Sequence, residues 1–167
     1  LPLSRGLGDV YKRQIWRMYI LKNIFITLII TFFTPLTING ADHIVKMLNQ
    51  NAEGVMVFEP SYLKVAVGDT VTFKSIDPAH NSASLEGMIP PGASSWNSQL
   101  SQDITVKLDV EGIYAYQCTP HSMMAMVGVI QVGNGNNLDQ VKLKAETLKN
   151  SFVTNKERLT QYLSELN

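Results

Sequence analysis

The 167 residues contain one cysteine and three histidines, and three of these four side chains fall in two short segments. Cys118, His121 and Met126 are spaced C-x2-H-x4-M, so a thiolate, an imidazole and a thioether can meet on one loop. His80 lies upstream in Asp77-Pro-Ala-His-Asn81. Two imidazoles, a thiolate and a weak thioether form the ligand set of a blue-copper electron-transfer centre. Soft thiolate suits Cu(I), imidazole serves both oxidation states, and a distant thioether tunes the potential. Met123 and Met124 compete for the axial role, but the loop must turn back before a side chain faces the others, which favours Met126. Taken singly, each residue has an ordinary explanation, since a free cysteine is commonly an inert core residue. The combination is what points to copper.

A centre with all four positions filled by protein leaves no place for a substrate. Three histidines are also too few for a second, catalytic copper, so the set reads as a carrier and not an enzyme. A copper buffer or chaperone drawing on Met123-Met124-Ala-Met126 is the alternative. Asn81 is placed to fix the His80 loop through side-chain hydrogen bonds. His43 has no partner motif and is assigned a structural role.

The ligands need strand ends to hold them. From Ala41 to about residue 132 the pattern is largely β. His43–Leu48, Val55–Phe58, Tyr62–Val67, Thr70–Ser75, Ile104–Val110, Ile113–Cys118 and Val127–Val132 read as strands. Asn49–Gly54 and Gly68-Asp69 read as turns, and Ser82–Ser101 as a long Gly/Pro-rich loop. Cys118 closes one strand, and His80 comes from the loop after another. Seven or eight short strands suggest a sandwich of two sheets. After Gly133–Asn137, Leu138, Val141, Ala145 and Leu148 recur at helical spacing, as do Leu159, Tyr162, Leu163 and Leu166. Thr154-Asn-Lys-Glu157 has capping-box spacing for the second helix. Two C-terminal helices are therefore expected to pack on the sandwich.

Residues 1–17 lack periodicity and read as a non-native or mis-called extension. Residues 18–40 read as a signal peptide, with Lys22 before the apolar run Ile24–Phe33 and a cleavage point near Gly40–Ala41. The expected organisation is thus extension 1–17, signal 18–40, β-sandwich 41–133 and helical extension 134–167. From Ala41 onward, nine Lys and Arg against thirteen Asp and Glu leave a net charge of −4. An acidic domain argues against nucleic acid as a partner. A lone thiol in an oxidising compartment is a liability unless buried or metal-bound.

The mature segment resembles the pseudoazurins, small periplasmic cupredoxins. The likeness rests on Met47-Leu-Asn49, Glu53-Gly54, Met56-Val-Phe-Glu-Pro60, Gly68-Asp-Thr-Val-Thr-Phe73, His80-Asn81, Met88-Ile-Pro90, Gly112 with Tyr114, and Cys118-Thr-Pro-His121. It implies a mainly β, Greek-key cupredoxin sandwich with two C-terminal helices and one type 1 copper held by His80, Cys118, His121 and Met126. It also implies a monomeric periplasmic carrier, fed by a cytochrome and donating to nitrite or nitrous oxide reductase, with no stable membrane insertion after cleavage. His121 would be the electron port, within an apolar patch of Met56, Pro120, Met124, Ile89 and Pro90. Gln50, Pro78, Asn97 and Gln117 stand where the family usually carries docking lysines. Ser122 replaces a usual tyrosine and Ala125 a usual glycine.

Overall fold

The computed structural model describes residues 14–23 and 40–166. The chain divides into two units, residues 1–38 and 39–167. In the first, residues 14–23 form an exposed helix, α1. The apolar run Ile24–Phe33 lies outside the described residues. No described helix is long and apolar enough to cross a membrane.

The second unit is built from eight strands and two helices. The strands are β1 (Asp42–Asn51), β2 (Gly54–Glu59), β3 (Tyr62–Val65), β4 (Thr70–Ser75), β5 (Ala83–Ser84), β6 (Ile104–Lys107), β7 (Gly112–Gln117) and β8 (Val127–Val132). They form two four-stranded sheets, ordered β2-β1-β4-β6 and β3-β8-β7-β5. Each sheet mixes pairings: β1 runs parallel to β4 and β3 parallel to β8, whereas the other pairs are antiparallel. The helices are α2 (Leu138–Leu148) and α3 (Arg158–Ser164). The expected two-sheet sandwich and both C-terminal helices are present.

Alternation along the strands sorts side chains between two cores. Tyr114, Tyr116 and Cys118 of the β7 segment face the first core, with Val45, Met47, Phe58, Phe73 and Ile130. There the Tyr116 ring meets Phe58 and Phe73 edge-on at 4.8 and 4.9 Å between centroids. Ile113 and Ala115 point the other way, into a second core with Val127, Val129, Val141, Ala145, Leu159 and Leu163. The helices thus cover the outer face of the second sheet, and β7 and β8 are buried on both sides. Fully burying a leucine contributes about 1.5–3 kcal/mol, so Leu159 and Leu163 alone hold α3 firmly. Gly128 serves this packing directly. A Cβ there would stand 2.4 Å from the Tyr116 ring, so only glycine lets the tyrosine lie across β8.

Three local features depart from the sequence pattern. β1 runs on through Asn49 to Asn51, because pairing with β2 continues to Asn51–Gly54 and closes a tighter hairpin. Within the long loop, β5 pairs with β7 and bridges to Asn97. The capping box does not form: Glu157 is the residue before α3, without a side-chain cap bond. The N–H groups of Val153 and Thr154 go instead to the Met123 carbonyl.

Candidate metal centre

His80 sits on the loop between β4 and β5, and its placement starts with backbone bonds. Ala79 takes a left-handed φ of 65° and donates its N–H to Ser101 Oγ at 2.8 Å. Ser101 N–H in turn reaches the His80 carbonyl at 2.8 Å. The ring is fully buried. Its Nε2 lies 3.0 Å from Asn49 Oδ1; an amide oxygen only accepts, so Nε2 carries the hydrogen. That leaves Nδ1 with a free lone pair, aimed at Cys118.

Cys118 follows β7, and the loop after it closes on itself. Cys118 N–H donates to the Met126 carbonyl at 2.9 Å, and Met126 N–H donates to the His121 carbonyl at 3.3 Å. Between them, Ser122–Met124 forms a 3-10 turn, ended by Ala125 at φ 53°, ψ 45°. This is where the usual glycine matters: Ala125 occupies a left-handed position that strains a residue with a Cβ. Asn81 joins the two ligand segments. Its Oδ1 accepts the Thr119 N–H at 2.7 Å, and its Nδ2 reaches Thr119 Oγ1, Asn97 Oδ1 and the Ser98 carbonyl. The bonding role expected of Asn81 is therefore observed.

The outcome is a tight cluster. Cys118 Sγ lies 3.6 Å from His80 Nδ1 and 3.4 Å from His121 Nδ1, and all three donor atoms fall within 4.8 Å of one another. Bonds of roughly 2.0 Å to nitrogen and 2.3 Å to sulfur around one ion, at tetrahedral to trigonal angles, put sulfur and nitrogen roughly 3.5–3.7 Å apart. The donor set therefore fits a single first-row metal ion. Met126 is fully buried in the same core cluster as Cys118, whereas Met123 is 61% exposed. Burial raises the Cys118 thiol's pKa, against a smaller opposing pull from the Asn81 and His121 backbone. Burial, with the nearby His121 ring second, lowers that of His80, and Asp77 opposes the shift. Both directions favour neutral, protonated sulfur beside a neutral imidazole in the metal-free protein.

Other expected residues fall less neatly. His121 is half-buried, with Met56 and Met124 partly exposed and Pro120 exposed. Pro90 is buried against Gly112 at the start of β7, the end opposite Cys118, and so does not join the patch. Val55 and Val153 are exposed apolar residues bonded through their backbones to Arg158 and Met123. No sequence signal marked them. His43 has the structural role expected of it, with Nε2 2.9 Å from Asp69 Oδ2.

The family described as copper binding proteins, plastocyanin/azurin family, matches residues 45–133. The pseudoazurin of Methylorubrum extorquens is 38% identical over 117 residues, covering 70% of this chain and 79% of that one. Among solved structures, a pseudoazurin from Sinorhizobium meliloti aligns with a TM-score of 0.60 at 47% identity, over 61% of this chain and 81% of that chain. Native pseudoazurin from Hyphomicrobium denitrificans aligns with a TM-score of 0.66 at 34% identity, over 76% and 99%.

Proposed function

Because the chain belongs to the plastocyanin/azurin family of copper-binding proteins, and within it to the pseudoazurin electron carriers, we propose that His80, Cys118, His121 and Met126 hold its copper and that it serves as a periplasmic one-electron donor to a nitrite or nitrous oxide reductase. The observation that carries the ligand assignment is the convergence of Cys118 Sγ with Nδ1 of both histidines. Copper bound there supplies reversible one-electron chemistry between Cu(I) and Cu(II). The protein's part is to keep the donors fixed. Asn49 holds the His80 tautomer, Asn81 ties the two ligand segments, and the fully buried sulfur is kept from solvent and from disulfide exchange.

His80 is enclosed while His121 is partly exposed beside Met123, which supports His121 as the edge through which the electron passes. Export agrees with the apolar run Ile24–Phe33, and the burial of Cys118 removes the liability of a lone thiol in an oxidising compartment. Loading with Cu(II) should produce an intense visible thiolate-to-copper band that Cys118→Ser abolishes. A colourless Cu(II) protein, or a band that survives the substitution, would sink the assignment. Transfer rates measured against a panel of reductases and cytochromes then identify the partner.

A further inference from the structure

Three consecutive carbonyls of the ligand loop, those of Met123, Met124 and Ala125, are bonded by the segment leading into α3. Val153 N–H reaches the Met123 carbonyl at 2.7 Å, and Thr154 N–H the same oxygen at 3.4 Å. Asn155, at a left-handed φ of 52°, donates Nδ2 to the Met124 carbonyl at 3.3 Å. Arg158 completes the set: its Nη1 donates to the Ala125 carbonyl at 3.0 Å and to the Met56 carbonyl at 2.9 Å, and its Nη2 to the Val55 carbonyl at 3.2 Å.

Arg158 is an unusual choice for this position. It is 7% exposed, and no carboxylate pairs with it among the described residues. Burying an unpaired cation is costly unless its donors are satisfied. A leucine would pack the same space without that cost, but it could not hold three carbonyls. The planar fork of guanidinium can, and lysine's single nitrogen cannot match it. Gly54 accommodates the fork, since a Cβ there would come within 3.3 Å of Nη2.

The Ala125 carbonyl, which Arg158 Nη1 holds together with that of Met56, belongs to the peptide joining Ala125 to Met126. Ala125 holds a strained conformation, and Met126 leaves the loop immediately after it. We propose that Arg158 is a positioning residue for the axial ligand: by fixing the Ala125–Met126 peptide it sets the direction of the Met126 thioether and so the strength of the axial interaction. This rests on Met126 being that ligand. A thioether released from its set direction donates less to the metal, which favours Cu(I) and raises the potential.

The test compares Arg158→Gln, Arg158→Lys and Asn155→Gly, the last keeping the left-handed backbone while removing the Met124 bond. Val141→Ala, which opens the second core on α2 and removes none of the bonds to the loop carbonyls, controls for stability alone. Visible spectra, EPR of the Cu(II) forms, reduction potentials and thermal midpoints of the metal-free proteins are recorded for each. Expected are an intense thiolate band in every variant, a changed band ratio and a raised potential in Arg158→Gln, and smaller shifts of the same sign in Arg158→Lys and Asn155→Gly. Val141→Ala should lower the thermal midpoint and leave ratio and potential as in the wild type. Wild-type ratio and potential in all three loop variants, or equal shifts in Val141→Ala, overturn the role of Arg158. Absence of the intense band in the wild type would instead defeat the ligand assignment on which it rests.

Discussion

Asn49 and Tyr116 stand at opposite ends of polar satisfaction, and each can be tested by one substitution. Asn49 Oδ1 is the acceptor that holds the His80 tautomer. Removing it leaves a buried N–H unpaired, at a cost of about 1–3 kcal/mol, and loosens a ligand whose supporting bond is typically worth about 10–100-fold in metal affinity. Asn49→Ala should therefore show both losses, in chemical denaturation of the metal-free protein and in competitive copper titration. Unchanged affinity would mean that packing alone orients His80. The Tyr116 hydroxyl is buried with no hydrogen-bond partner among the described residues. Its desolvation is uncompensated, so Tyr116→Phe should raise stability by about 1 kcal/mol. A clear loss of stability in denaturation curves would show that the hydroxyl is bonded after all.

Between elements, Asp69 fastens the start of β1 to the turn that follows β3. Its carboxylate accepts the N–H groups of Ala41 at 2.7 Å and Ala66 at 2.9 Å and faces His43. These partners, His43 foremost, hold its pKa below the ordinary aspartate value. A depressed carboxylate pKa adds stability above the unfolded value and loses it as pH falls through the folded one. Wild type should thus exceed Asp69→Asn in stability fully above about pH 5, and the gap should close as pH drops below about 4. Urea midpoints across pH 3–7 would reveal this, and a gap independent of pH would rule out the charge as its source. The same scale shows what could be read from sequence. Alternation in Thr70–Ser75 and Ile104–Val110 marked β4 and β6 because burial acts on every second residue. β5 escaped because two residues carry no period. Thr154 misled because its spacing matched a cap while its N–H was already committed to Met123. The proposed ligands stood out because copper chemistry needs rare side chains at narrow spacing, whereas Arg158 is bound to carbonyls, which leave no mark in sequence.

Taken whole, the molecule from Ala41 onward carries four more acidic than basic residues. Lys46, Lys74 and Lys107 each pair with an acid, Glu59, Asp103 and Asp109, at 2.7–3.1 Å. Gln50, Pro78 and Asn97, the positions at which the resemblance implies docking lysines, are exposed and uncharged. Steering by a charged ring can raise association roughly 10–1,000-fold and fades with salt. Electron transfer to an acidic reductase should therefore vary only weakly with ionic strength in stopped-flow measurements. A steep fall with salt would reveal a basic docking surface elsewhere. A different consequence follows from the bonds that Val153–Arg158 make to the ligand loop. Chains emerge from the ribosome N-terminus first, at about 5–20 residues per second. All four proposed ligands are out once Met126 has appeared, yet the groups that seat the loop come more than twenty-five residues later. A product cut short after β8 would carry every donor atom and still lack the anchor. The centre is finished last in time, by a stretch of chain more than seventy residues past His80.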